Sequence, residues 1–370
     1  VSRRRLSLVL GVILVATGCG AGPAGQATTT TTVPTTIAQQ SEVGLRRPWD
    51  GMILPPDLGR GYEPAATAAL LEDLAELGAP NVALVVPLTQ DSPGSPPRRG
   101  DGVTPGDDQL VSAIDQADRL ELGVVLELRV QPAPGSTPEP APPGQWFDAY
   151  RQLAAHYAAL AQRHEVDLFV IGGEVGTAWT EGWLAVIDQV RAAYEGPVAF
   201  AVVSERMDQV GFWDAVDMIG VDTTFPDPAV PEPVAADIER AWEPVMAELT
   251  ELAARWLRPV VLTRVGYPGV DHRTSDLPGI GPDRQLGAYE ALFTVANQTP
   301  AIEGVLVWRW GTDPLTAGDP EATYSPQGRP AEEVLRRAWT TPLATDPLEP
   351  DGDVTPADQP GAGPPPTDRS

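Results

Sequence analysis

A carboxylate standing just past an apolar run, and an arginine standing inside another, are the two features of this sequence that bear most directly on chemistry. The run Phe169-Val170-Ile171-Gly172-Gly173 ends on Glu174. A carboxyl at the end of a buried strand sits in the half-dry setting that suits a general acid. The same position equally suits a structural ion pair at a rim, so Glu174 taken alone leaves both roles open. The run Val260 to Tyr267 carries Arg264, whose guanidinium stays protonated and can be neither base nor nucleophile. Tyr267, Trp308 and Trp310 bring aromatic faces, which suit the apolar faces of sugar rings but also cap cores. Gln90, Arg129 and Asp222 add polar groups at other strand ends. His156, His164 and His272 are scattered and Cys19 is the only cysteine, so no metal is expected; nor is any cofactor.

The elements that must position these groups read as an alternation of β-branched runs with longer amphipathic stretches, the pattern of a parallel sheet covered by helices. Strands are predicted at Gly51–Leu54, Val82–Pro87, Val124–Val130, Asp167–Gly172, Val198–Val203, Met218–Asp222, Val260–Val265 and Gly304–Trp308. Helices are predicted near Pro64–Leu77, Pro105–Leu122, Trp146–His164, Glu181–Tyr194, a short one at Asp214 or earlier, Val234–Trp256, Pro282–Gln298 and Pro330–Trp339. Apolar residues recur at helical steps, as in Leu70, Leu74 and Leu77. An open doubly wound sheet is the rival architecture, but it usually carries a glycine-rich turn after its first strand, where this chain has Pro55-Pro56-Asp57. The expected fold is therefore a single (β/α)8 barrel. Its chemistry belongs at the C-terminal ends of the strands, where the residues above all fall.

Both ends of the chain read differently from the body. Arg3-Arg4-Arg5, an apolar run from Leu6 to Ala16 and then Thr17-Gly18-Cys19 form a charged, apolar and small-residue order, that of a secretory signal. Residues 1–18 are accordingly expected to be a lipoprotein signal peptide, with Cys19 as the lipid attachment point. Ser2-Arg3-Arg4 leaves a twin-arginine export route open beside the general one. Residues 19–45, with five consecutive threonines at Thr28 to Thr32, and the Pro-, Asp- and Gly-rich residues 341–370 lack the apolar surface to fold. They are expected to be tether and tail around a barrel spanning 46–340. Without an internal disulfide, that barrel must be held by core packing. A net charge of −26, in a chain whose bases are all arginine, opposes binding to nucleic acid and anionic lipid. The expected location is the outer face of a bacterial cell membrane, contacted through the lipid alone, with the protein a monomer.

Several stretches, taken in chain order, resemble glycoside hydrolase family 113. They are Asn81 to Val86, Ile171-Gly172-Gly173-Glu174, Phe212 to Asp222, Thr263-Arg264-Val265-Gly266-Tyr267 and Tyr324 to Pro330. The resemblance runs from about Trp49 to Trp339 and implies a (β/α)8 barrel, an endo-β-mannanase ancestry and a retaining mechanism. Such a mechanism needs two carboxyls about 5 to 5.5 Å apart. By resemblance, Glu174 takes the acid/base position on the fourth strand, and the nucleophile position on the seventh is occupied by Arg264. Arg129 and Gln131 stand where the family has a histidine and an aspartate, and Val203 and Ser204 where it has Asn and Trp.

Three functions follow. The first is a catalytically impaired, surface-held protein that binds a polysaccharide or oligosaccharide. The second is a working hydrolase on a mannan-like β-linked polysaccharide, with Glu174 as acid and Asp222 or Glu205 as base in an inverting reaction. The third is an envelope protein that uses the barrel only as a scaffold. Arg264 is expected to lie within pairing distance of Glu174, which would lower the glutamate's pKa and spoil it as an acid. For the anchor, Cys19→Ala should move the protein from the membrane fraction to the soluble fraction on cell fractionation; unchanged membrane association would refute lipidation.

Overall fold

The computed structural model describes residues 47–92, 94–131, 144–172, 179–223, 233–269, 282–311 and 324–341. Cys19, Glu174, His272, the signal, the tether and most of the tail lie outside them. In chain order the elements are β1 (Gly51–Leu54), α1 (Pro64–Leu77), β2 (Asn81–Thr89), β3 (Arg98–Arg99), α2 (Asp107–Arg119), β4 (Gly123–Val130), α3 (Gln145–Arg163), β5 (Leu168–Gly172), α4 (Thr180–Arg191), β6 (Val198–Val203), β7 (Met218–Asp222), α5 (Ala235–Trp256), β8 (Val260–Val265), α6 (Pro282–Asn297), β9 (Ile302–Val307) and α7 (Pro330–Thr340).

The strand order is β1-β9-β8-β7-β6-β5-β4-β2, and β1 also pairs with β2. Every one of those pairings is parallel, so the sheet closes on itself as the expected (β/α)8 barrel. β3 is an extra. Its two exposed arginines pair antiparallel with Leu88 and Thr89 at the end of β2, and with no apolar alternation they give no strand signal in the sequence. Because of β3, the third to eighth barrel strands are β4 to β9. The short fifth helix expected near Asp214 is two 3₁₀ turns, Ser204–Gln209 and Trp213–Ala215.

Alternation along the strands sorts the core into two layers. Ile53, Ala83, Val85, Val125, Val170, Ala199, Ala201 and Val261 fill the barrel interior. Their neighbours, such as Met52, Leu84, Leu126, Ile171, Phe200 and Leu262, face outward and pack under the helices. The helices present matching apolar faces: Leu71, Leu74 and Leu77 on α1, and Ile238, Trp242, Met246, Leu249 and Leu252 on α5, are buried. The Glu63 carboxylate caps α1 by accepting from the Ala65 and Ala66 amides, which supplies partners for two amides that the helix start leaves unbonded.

An aspartate immediately before each of three strands latches the opposite end of the barrel, the end away from the mouth. Asp167 accepts from the Val124 amide and Asp217 from that of Val198, each at 2.8 Å, while Asp50 accepts from the Val305 amide at 2.9 Å. Asp50 does most. Its carboxylate also binds Arg47 through Nε at 2.8 Å and Nη2 at 2.9 Å, and its carbonyl accepts from the Asn81 side chain at 2.6 Å. β9, β1 and β2 are thus tied together where the barrel closes. Asp50 and Arg47 are both buried; burial raises the Asp50 pKa, and the Arg47 charge opposes that rise. Asp50→Ala should leave Arg47 buried and unpaired and cost about 3–5 kcal/mol, measured as a lower urea midpoint. A loss below about 1 kcal/mol, the scale of an exposed pair, would show that the latch is dispensable.

Candidate functional site

β4 reads Gly-Val-Val-Leu-Glu-Leu-Arg-Val, and its alternation sends Val125, Glu127 and Arg129 toward the barrel axis. Charged side chains that enter a barrel must find partners there. Glu127 binds Arg129 Nη2, and the same nitrogen lies 2.8 Å from Asp222 Oδ2 at the end of β7. The other Asp222 oxygen, Oδ1, accepts from Thr263 Oγ1 on β8 at 2.8 Å. Three strands are joined in this way just under the mouth. Burial raises the pKa of Glu127, with Asp222 adding to the rise and Arg129 and Arg264 working against it. For Arg129, burial disfavours the charge, but Asp222 and Glu127 together outweigh it and raise its pKa. This guanidinium is therefore fixed as a cation between two acids.

The end of β8 departs from strict alternation. Val261 belongs to the barrel interior, whereas Leu262 and Val265 belong to the layer under the helices, so one extra residue is accommodated between them. The pairing with β9 shifts register across Leu262 to Val265, and Asp222 on β7 pairs with Arg264. A bulge of this kind re-aims side chains. Here both Thr263 and Arg264 turn inward. The Arg264 guanidinium carbon lies 3.5 Å from the centroid of the Trp308 ring, and that of Arg309 lies 5.4 Å from it. Trp308 follows β9, belongs to the interior layer and is 9 % exposed. Gly266 allows this approach, because a Cβ there would stand 2.3 Å from the Trp308 carbonyl oxygen.

At the end of β5, Gly172 has φ +126°, and a Cβ there would meet the Ala201 carbonyl oxygen at 2.2 Å. Its amide donates to the Tyr150 hydroxyl at 3.2 Å, and that hydroxyl donates to the Leu128 carbonyl at 3.4 Å. The strand end leading to Glu174 is thereby fixed to β4 and α3. Glu174 itself, and with it the expected pairing to Arg264, lies outside the described residues.

The other expected site residues divide. Arg129, Asp222, Arg264 and Trp308 converge on the mouth. Gln90 is buried beside it, with its amide nitrogen committed to the Ser95 carbonyl at 2.7 Å, so it holds the loop after β2. Two expectations are corrected. Tyr267 does not reach the rim: its hydroxyl accepts from the Trp242 indole on α5 at 2.9 Å and its ring packs edge-on against Tyr289 of α6, because the bulge sends this stretch outward. Trp310 also turns away from the mouth. Its ring joins the layer under the helices and borders a cavity of about 80 Å³ beside Tyr62 and Leu70, since alternation stops where β9 ends at Val307.

Glu127 and Thr263 join the mouth cluster without having been singled out as site residues in the sequence. Glu127 had a legible signal, an acid two residues before Arg129 in an otherwise apolar strand, which places both on one face. Of the candidate bases, Asp222 has both oxygens engaged, and Glu205 is exposed and accepts from Ser204 Oγ at 3.2 Å. Among the described residues no group of three or more His, Cys, Asp or Glu side chains is placed to hold a metal ion.

A sequence model of Glycoside Hydrolase Family 113 matches residues 59–327. Among solved structures, a family 113 β-mannanase from Alicyclobacillus acidocaldarius in complex with ManMIm is similar at TM-score 0.66 and 27 % identity, over 82 % of this chain and 99 % of that one. A family 113 β-1,4-mannanase is similar at TM-score 0.66 and 22 % identity, over 80 % and 99 %. A β-D-glucuronidase from Dictyoglomus thermophilum shares the fold at TM-score 0.59 and 14 % identity, over 79 % and 50 %. Comparison with curated protein sequences finds no match.

The mouth cluster makes a stability prediction of its own. Arg129→Met should strand Glu127 and Asp222 without their cation and cost about 3–5 kcal/mol. Removing the acid as well, in Glu127→Leu/Arg129→Met, should recover part of that loss. A urea-unfolding double-mutant cycle checks this; additive losses would mean that the two side chains do not form a unit.

Proposed function

The chain belongs to glycoside hydrolase family 113, and from that premise we propose that it is a catalytically impaired member that binds a mannan-like β-linked glycan at its barrel mouth. The observation that carries this reading is Arg264, a permanent cation turned into the mouth at the strand end where, by the motif resemblance, the family's nucleophile stands. A retaining hydrolase needs a carboxylate there to attack the anomeric carbon. A guanidinium can neither attack nor leave a covalent intermediate. Glu174 on its own supplies at most half of the required pair.

The glycan itself is inferred from the family and from the β-mannanases among the similar structures. Arg129 and Asp222 are offered as polar contacts for such a ligand. The inverting alternative has less support, because neither of its candidate bases is well placed: Asp222 is held by Arg129 and Thr263, and Glu205 is exposed. We further propose that the protein works at the outer face of the membrane, tethered through Cys19, as a monomer that holds a polysaccharide rather than cutting it.

The purified protein, lacking its lipid, should be retarded in gels containing β-1,4-mannan or glucomannan and should release no reducing ends from either. Glu174-dependent hydrolysis would overturn the impaired reading. Loss of retardation on both polysaccharides would overturn the glycan. Arg264→Glu should give at most weak activity, since Arg129, Gln131, Val203 and Ser204 still differ from the family pattern. Turnover comparable to that of a family 113 mannanase would mean that position 264 alone had silenced the site.

A further inference from the structure

We propose that Arg264 is a seal on the sugar-stacking face of Trp308, so that the native mouth excludes a pyranose from that aromatic platform. The inference rests on the glycan-binding reading above. Of the three aromatic residues expected at the mouth, Tyr267 and Trp310 are committed to the packing under the helices, and Trp308 alone belongs to the barrel interior. A sugar recognises such a ring by laying C–H groups on its face at van der Waals distance, about 3.5–4.0 Å between heavy atoms. The guanidinium carbon of Arg264 already sits 3.5 Å from the ring centroid. Sugar and guanidinium claim the same layer of space.

The seal is held from several sides. The Thr223 amide donates to the Arg264 carbonyl at 3.0 Å, and the Trp308 amide donates to the Val265 carbonyl at 2.8 Å, so both backbones are fixed across β7, β8 and β9. Gly266 permits the close packing of β8 on Trp308. Below, the buried Glu127 carboxylate attracts the Arg264 charge. A planar guanidinium covers an indole face in a way that a point-like ammonium does not. Arg264 is thus a specificity-determining residue by obstruction. A neutral glycan that binds the native protein does so along the rest of the mouth.

The test uses protein labelled with 5-fluorotryptophan, with the Trp308 resonance assigned by Trp308→Phe. The native protein, Arg264→Ala and Arg264→Lys are compared by fluorine NMR, by acrylamide contact at Trp308 and by calorimetric titration with β-1,4-mannohexaose. Arg264→Lys keeps the charge and guards against a simple folding failure of the alanine variant. The expected result is that both variants expose Trp308 to acrylamide, and that Arg264→Ala binds mannohexaose at least tenfold more tightly, about 1.4 kcal/mol. The gain should vanish in Arg264→Ala/Trp308→Ala. Unchanged acrylamide contact in both variants overturns the seal. So does an exposed Trp308 with native affinity for a hexaose that binds, or a gain that survives loss of Trp308. Exposure of Trp308 with no hexaose binding by any form would support the cover and overturn the glycan reading instead.

Discussion

Closure of the sheet through four residues, Gly51–Leu54, is the constraint on which everything else in this barrel depends. β1 is short, yet it must pair with β2 on one side and β9 on the other. Only Gly51 and Met52 register with β9. That ladder is extended by backbone hydrogen bonds from Trp49 to the Glu303 carbonyl and from Trp310 to the Ile53 carbonyl, and further hold comes from side chains at the strand's foot. Asp50 takes the Val305 amide on one side while its carbonyl takes the Asn81 amide on the other. Burying that carboxylate is unfavourable, and Arg47 makes it tolerable. If the seam opened, the strand ends would no longer converge, and Arg129, Asp222, Arg264 and Trp308 would lose their common mouth.

The mouth repeats the same physics with a different result. At the seam, a buried acid serves a backbone amide while a buried base holds that acid. In the mouth, Glu127, Arg129, Asp222 and Thr263 engage one another, with Arg129 Nε left buried and without a hydrogen bond. A catalytic carboxyl pair works by being left incompletely satisfied, so that a proton can move onto one group or a lone pair can leave the other. Glu127 and Asp222 are instead both engaged by Arg129. The net charge of −26 belongs to the whole chain, whereas the described mouth residues include Arg129, Arg264 and Arg309 beside Glu127 and Asp222, so the overall acidity of the protein does not describe the charge of this site.

The barrel was legible because its signals are repetitive: β-branched runs alternating with helical periodicity give the strand order and the position of the mouth without any single residue being decisive. What escaped was non-repetitive. β3 rests on two arginines with no apolar pattern, and the fifth helix shrinks to 3₁₀ turns where the sequence offers too few apolar steps for more. At the site, Arg129, Asp222 and Trp308 could be placed by counting along strands, whereas Arg264 lies inside the bulge, where strict alternation would have turned it outward. Tyr267 and Trp310 could not. The bulge between Leu262 and Val265 and the end of β9 at Val307 both break the period of two, and past such a break parity no longer tells inside from outside. Glu127 lies in the middle of β4 rather than at its end, and its only sequence signal is its shared parity with Arg129.

Position 264 is best understood together with position 129. With Glu127 and Asp222 already beside each other, a carboxylate at 264 would bring a third negative charge toward a site whose nearest cation, Arg129, is already shared by two acids. Like charges at such range raise carboxyl pKa values and favour protonation over a free nucleophile. An arginine at 264 has the opposite effect: its charge stabilises the ionised form of Glu127, and its flat guanidinium finds a second partner in the Trp308 face. The two arginines therefore form one consistent electrostatic solution, in which each relieves a cost that the buried acids would otherwise impose. That coupling accounts for how the mouth of this barrel accommodates Glu127 and Asp222 together with Arg129 and Arg264.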